Sequence, residues 1–406
     1  MSIPYLSEHK LKELIKVTRG ASLSGQYFEE EGDLIRLTLG NFDYTNGGFK
    51  ENTSKENLYY SGPVADNFIM NEGDIITPMT EQTPGLLGST ARIPESGKYI
   101  QSQDVGLVTC DEEKIDKDFC YYLLPSEIVK KQLSAGAQQT KIRHTSPDKI
   151  EACTVFIPSP KEQNKIGRFL SSIDKLINLK RKEITLMELM AKQIYDYWFV
   201  QFDFPNDEGK PYKSSGGKMI WNEKLKREIP EGWNDTTLDY YCKMYQPQTI
   251  STKLLNGNGK YPVYGANGII GFYNNYNHTE SEIVIACRGN SCGVVNRTDP
   301  FSWITGNAMV MAMKNSKYSN EYISQSLRYV NIRGAITGSG QPQITRENLK
   351  GIRIILPHDK NIVKYSEAVT GIVKKILKIR EEINEIVVMR EFFKPLLMTG
   401  QVTIKD

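Results

Sequence analysis

Much that would mark a secreted, membrane-bound or nucleotide-hydrolysing protein is missing from this 406-residue sequence. Its six cysteines, Cys110, Cys120, Cys153, Cys242, Cys287 and Cys292, include no C-x-x-C pair, and its four histidines lie far apart. Such spacings support neither a disulfide framework nor a zinc site, and the thiols read as reduced and mostly buried. No apolar run approaches the roughly 18 residues of a membrane span. The start, MSIPYLSEHKLKEL, is charged where a signal peptide needs its apolar stretch, so the cytoplasm is the expected location. There is no G-x-x-x-x-G-K-[ST] phosphate loop, no Asn/Asp-Pro-Pro-aromatic tetrad of the kind amino-methyltransferases use, and no G-x-S-x-G elbow. No glycine-rich cofactor loop follows a strand, and paired acidic residues with a following lysine occur only inside charge runs. Neither catalysis nor a metal or cofactor of its own is expected of this chain.

What is present suffices for a folded protein of two to three domains, with 39% hydrophobic and 24% charged residues. The net charge of +3 is too small to argue for a nucleic-acid partner by itself, but it is unevenly spread. Residues 1–158 hold 16 Lys/Arg against 23 Asp/Glu, whereas residues 159–229 hold 14 against 10 and residues 230–357 hold 12 against 8. The acidic surplus sits in EEEGD (29–33) and DEEKIDKD (111–118), which read as solvated faces.

The strongest signal is helical periodicity in two places. Ile166, Leu170, Ile173, Ile177, Lys180, Ile184, Met187, Ala191, Ile194 and Trp198 follow one another at alternating spacings of four and three, the seam of a coiled coil. Tyr365, Val369, Ile372, Ile376, Ile379, Ile383, Ile386, Arg390, Phe393 and Leu397 repeat it 199 residues later. Upstream, DKIEACTVFIPSP (148–160) matches ENLKGIRIILPHD (347–359), each a strand closed by proline before a helix. GDIITPMT with GLLG (73–88) parallels SEIVIACRG with CGVV (281–295). The chain thus reads as an internal duplication: module, long helix, module, long helix. Each helix alone would expose its apolar stripe, so the two are expected to pair antiparallel, with the modules at opposite ends. Lys180 and Arg390, the charged residues on the seams, are expected to set register. The fold class is α+β, with two mixed, strand-rich modules. The boundaries are expected at 1–158 for the first module and 159–203 for its helix. A linker (204–229), marked by Gly209, Pro211, Ser214, Ser215, Gly216 and Gly217, leads to the second module (230–357) and second helix (358–406).

Recognition chemistry remains. The hairpin candidate YPVYGANGIIGFYNNY (261–276) carries Tyr264 and Asn267, and ITGNAMVMAM (304–313) reads as a strand entered through Gly306 and Asn307. RGNSCG supplies Arg288 and Asn290, and SGQPQITR supplies Gln341, Gln343 and Arg346. In the first module AGAQQTKIRHTS (135–146) supplies Gln138, Gln139, Lys141 and Arg143 at nearly the same point before the closing strand. Thr80 and Arg92 flank another polar loop there, and Arg36 lies on the strand candidate GDLIRLTLG (32–40). Amide and guanidinium groups of this kind make bidentate contacts to adenine and guanine edges.

These residues also carry a family resemblance. IPEGW (229–233), YPVYGANGIIG, IVIACRGNSCG (283–293), ITGNAMVM, QPQIT (341–345) and helices ending in YDYWF and LLMTGQV resemble the specificity subunit of type I restriction–modification systems, over essentially the whole chain. The first module departs from the pattern in lacking an IPEGW opening. The resemblance implies two target recognition domains, each reading half of a split, asymmetric DNA sequence, with the helices fixing the gap. It implies two modification (methyltransferase) subunits bound along the helices, through Ile166, Ile173, Ile177, Ile184, Met187, Ile194, Ile372, Ile376, Ile383 and Ile386, which also form the coiled coil. It further implies two restriction subunits, with S-adenosylmethionine, ATP and magnesium all held by partners and none by this chain. A DNA-binding regulator acting alone would need a strongly basic face, which the acidic first module opposes, and a protein-interaction scaffold is the other alternative.

Overall fold

The computed structural model describes residues 6–405 except 45–46, 53–55, 82–84, 136–142, 256–258, 290 and 339. The chain divides into two compact units, Met1–Asn178 with Glu385–Asp406, and Leu179–Asn384. Among the described residues no helix is long and apolar enough to cross a membrane.

In the first unit, alternating and continuous apolar runs build a four-stranded antiparallel sheet. Its order is Ile15–Arg19, Val105–Cys110, Ile75–Pro78, Ala91–Arg92, with Val108 opposite both Val17 and Ile75. Ser7–Lys10 pairs with the proline-closed strand Thr154–Ile157. A second, smaller sheet contains the parallel pair Ile35–Arg36 and Tyr99–Ile100, so GDLIRLTLG yields only a two-residue strand before a 3-10 turn at Leu39–Asn41. The second unit repeats the arrangement in the order Cys242–Tyr245, Ala308–Met313, Ile283–Ala286, Val295–Arg297, and Asn234–Thr237 pairs with Arg353–Leu356. Tyr261–Gly265 and Gly268–Tyr273 form the expected hairpin, and Trp303–Ile304 adds to it in parallel. The duplication is therefore structural. Short helix, closing strand and long helix begin at Pro147, Thr154 and Pro160 in one copy and at Arg346, Arg353 and Asp359 in the other.

The long helices are Pro160–Tyr195, continued by a π turn to Val200, and Asp359–Met398. In the first unit Arg390 Nη1 meets Asp174 at 2.6 Å, and in the second Lys180 Nζ meets Glu382 at 2.6 Å, so both charged seam residues find a partner on the opposite helix. Within the second unit the Lys180–Glu382 pair and Tyr195, 6.1 Å from Tyr365, together show the two helices running antiparallel. Every position of the first seam is shielded from solvent, fully or in part, and so is every position of the second except Phe393. The inward face at that end runs through Arg390, Lys394, Leu397 and Met398, one position off the expected stripe, because a straight helix of 3.6 residues per turn drifts from a heptad repeat. The last helical turn closes at Gly400 (φ +68°), where Gln401 N donates to Leu396 O at 2.8 Å. Val402 and Ile404 then pack on the first unit's core, so the tail beyond Met398 is not helical.

The stretch expected as a linker is folded. Met219–Asn222 pairs with Arg227–Pro230, and Phe204 stacks at 4.8 Å on both Trp233 and Tyr212. Aromatic residues in and beside it outweigh its glycines and serines: Phe204, with the flanking Phe202 and Trp233, is buried with Tyr195, Trp198, Phe199, Tyr322 and Tyr365 in the second unit's core. Each such side chain contributes about 1.5–3 kcal/mol on burial. All six thiols are free, four of them buried. Of the two acidic runs, 29–33 is exposed as expected, whereas the second is partly built in: Asp116 accepts from Phe119 N at 2.8 Å as a helix cap and Asp118 pairs with Arg92.

Candidate nucleic-acid interface

In the second unit three loops converge on the end of the buried strand Ile283–Ala286. Cys287 N donates to Asn307 O at 2.9 Å, Ile344 N to Cys287 O at 2.9 Å, and Gly289 N to Pro342 O at 3.1 Å. Arg288 and Gln343 face each other across an antiparallel bridge. Gly338 turns the third loop at φ +85°, and a Cβ there would sit 2.7 Å from Gln341 O, so only glycine fits. The result is an exposed cluster of Arg288, Asn307, Gln341 and Gln343. Gln246, which no sequence pattern singled out, joins it by donating Nε2 to Gly306 O at 3.0 Å. The cluster holds amide and guanidinium groups without a carboxylate, the composition suited to base edges and phosphates. Arg346 is exposed at the start of the helix Arg346–Lys350, capped by Thr345, and lies 3.6 Å from Glu347.

Behind the cluster stands a polar relay. Asn277 Nδ2 donates to Ile304 O at 3.0 Å and Asn277 Oδ1 accepts from Ile304 N at 2.8 Å, holding the strand that leads into Gly306 and Asn307. Because that Oδ1 is an acceptor, His278 Nδ1 (2.6 Å away) carries the proton, and Nε2 accepts from Tyr245 Oη at 2.9 Å. Burial lowers the His278 pKa, favouring this neutral form. Asn267 is exposed at the hairpin tip, whereas Tyr264 is buried, its hydroxyl accepting from Asp299 N, with burial and then Asp299 raising its pKa.

The first unit has the same backbone plan with different side chains. Thr145 N donates to Met79 O, and Arg143–His144 pairs with Thr80–Glu81. His144 and Thr80 thus stand where Gln343 and Arg288 stand in the second unit. Thr80 is buried and His144 exposed. Glu81 is buried, its Oε2 accepting from Leu86 N and Leu87 N at 2.8 and 3.0 Å, and its Oε1 lies 3.8 Å from Arg143 Nη1. Two other arginines singled out by sequence are turned to structural partners. Arg92 pairs with Asp118 at 2.7 Å over the Tyr121 ring, and Arg36 donates to Asn57 O above the Phe28 ring. Gln138, Gln139, Lys141 and Asn290 lie outside the described residues. Among the described residues there is no group of three or more His, Cys, Asp or Glu placed to hold a metal ion.

The helices carry a second surface. Leu179, Leu186, Leu189 and Met190 are exposed in the second unit, and Phe169, Leu176, Val388, Met389, Phe392 and Phe393 in the first. The residues singled out for partner binding, Ile166, Ile173, Ile177, Ile184, Met187, Ile194, Ile372, Ile376, Ile383 and Ile386, instead face inward wholly or in part.

A family model described as the type I restriction modification DNA specificity domain matches residues 7–189 and 230–386. The chain is 22% identical to the type I restriction enzyme MjaIX specificity subunit of Methanocaldococcus jannaschii, over 73% of this chain and 71% of that one. It is 23% identical to the putative type I restriction enzyme MjaX specificity subunit of the same organism, over 98% and 93%. A solved type I restriction–modification S subunit from M. genitalium shares the fold, with a TM-score of 0.56 at 16% identity over 98% of this chain and 97% of its own.

Proposed function

The chain belongs to the type I restriction–modification DNA specificity family, and from that membership we propose a division of labour among its parts. Its role is recognition of the DNA target; methylation and cleavage reside in other subunits of such systems. Each unit reads one half of a split target. The second does so through Arg288, Asn307, Gln341 and Gln343, with Gln246, Asn267 and Arg346 beside them, and the first through His144 and Arg143. The observation carrying this reading is that one backbone plan presents Arg288 and Gln343 in one copy and Thr80 and His144 in the other, so the two halves of the target differ. Two such readers combine their discrimination against a genome of competing sites, which one domain reading three or four base pairs cannot achieve.

The outward apolar residues of the helices, rather than the seam, receive two modification subunits, and restriction subunits join through them. S-adenosylmethionine, ATP and magnesium belong to those partners, and the complex works in the cytoplasm. The test is a modified-base map of DNA from cells expressing a partner methyltransferase with and without this chain. N6-methyladenine at one bipartite motif with a fixed gap, only in its presence, is the expected result. Methylation independent of the chain would refute the reading.

A further inference from the structure

The hairpin of the second unit ends in an exposed apolar tip. Tyr261–Gly265 pairs with Gly268–Tyr273, but the register slips between Val263 and Tyr264, which leaves Ile270 as the extra residue of a β-bulge. Ile269 and Ile270 are 47% and 46% exposed. Ile270 is nonetheless seated: a Cβ on Gly265 would lie 2.6 Å from its Cγ2, so the side chain rests on bare glycine backbone. At the far end of the second strand Tyr273 meets the Trp303 ring edge-on at 5.6 Å.

The tip belongs to the edge that carries the amide and guanidinium cluster. Tyr261–Gly265 runs parallel to Trp303–Ile304, and just past that ladder Thr305 N donates to Tyr264 O at 2.9 Å. The two strands end together, so Asn267 at the turn and Asn307 leave the sheet at the same edge. Gln246 is tied to that edge through Gly306 O.

Charge specifies the occupant. Residues 240–279 contain no Asp or Glu. Lys253 and Lys260, just ahead of the hairpin, are exposed and have no ion-pair partner among the described residues. Asp299, whose amide meets the Tyr264 hydroxyl, is largely shielded and faces Arg380 at 3.7 Å. A protein partner for an apolar tip needs no such exclusion of carboxylates, whereas a polyanion does. In the DNA major groove an A·T pair offers both groups the tip can meet: the thymine C5-methyl for an apolar side chain, and adenine N6 and N7 for an asparagine. That groove, about 12 Å wide, admits a two-stranded β-ribbon.

We propose that this hairpin enters the major groove as a two-stranded ribbon and reads an A·T pair, with Ile269 and Ile270 against thymine methyl groups and Asn267 on the adenine edge. The proposal rests on the reading of the second unit as a DNA reader. The test uses the full chain assembled with its modification subunits and duplexes carrying the mapped motif, R288A marking which half-site belongs to the second unit. Uracil in place of thymine removes only the methyl group. At a thymine of that half-site it should weaken binding by the parent about fourfold, the worth of one buried methyl. I269S/I270S should melt with the parent, bind the thymine duplex about tenfold more weakly and ignore uracil. I269V/I270V should keep the uracil response. A parent indifferent to every uracil, or a half-site without an A·T pair, overturns the proposal. Loss of modification-subunit binding in I269S/I270S also overturns it and marks the tip as a protein contact. A rise in 2-aminopurine fluorescence in that half-site without a uracil response overturns it in favour of a wedge between bases. If R288A and I269S/I270S both leave binding to the target intact, the reading of the second unit itself fails.

Discussion

Arg288 and Gln343 are the residues on which the reading of the second unit turns, because a backbone bridge aligns them and, among the described residues, no ion pair engages Arg288. Alanine at either is expected to remove one base-edge contact, costing about 1–3 kcal/mol of discrimination at one position of one half-site. Methylation kinetics on targets altered in each half would show it, and equal loss on both halves would argue against the assignment. Glu282, close behind the relay, has its pKa pushed up to about 7 by burial and by Glu280, from an ordinary 4.5. The unfolded chain therefore ionises this group first as pH rises, and the folded state loses stability between about 4.5 and 7. E282Q should match the parent near pH 4.5, gain on it up to pH 7 and hold that gain above. Urea unfolding at pH 5 and pH 8 measures the difference.

At the scale of elements, the long helices are held by unequal ion pairs. Arg390 is largely shielded and shares Asp174 with the Tyr122 hydroxyl at 2.6 Å, so R390A strands a half-buried carboxylate. A loss of about 2–3 kcal/mol is expected, below the roughly 3–5 kcal/mol of a fully buried pair. Lys180 meets a more exposed Glu382, and K180A should cost under about 1 kcal/mol. Chemical denaturation of the two variants gives the comparison, and equal losses would contradict it. The internal repeat was legible here without coordinates, since a heptad seam recurring at a constant offset reflects a helix face that must be buried twice. The folding of residues 204–229 was not. Its turn residues are local signals, whereas the ring partners of Phe204 include Trp198 and Trp233, on either side of that stretch.

For the whole molecule, the proposed spacer role makes helix length the determinant of the unread gap. One heptad added to each helix at matching points preserves the seam and lengthens it by about 10 Å. That corresponds to roughly three base pairs of duplex. The methylated motif should keep both half-sites and gain that spacing; a motif with an unchanged gap would show that the helices do not set it. Binding of the assembled complex to its target should also weaken steeply with salt, as phosphate contacts release counterions.

The sequence by itself determined the duplication, the two long helices with their inward seams, the closing strands and the loops of the second module. Each depends on periodicity, on proline or glycine at a turn, or on a motif, and all of these are local along the chain. Tertiary structure decided which polar residues are available. Arg36 and Arg92 look as free as Arg288 in sequence, yet Asn57 and Asp118 occupy them, and Gln246 joins the cluster only because Gly306 folds back to it. It also decided that Tyr195 stacks on Tyr329 in the second unit, and that a cavity opens beside Lys394 in the first. Hydrogen bonding and packing are settled between residues far apart in the chain, and no local pattern records them.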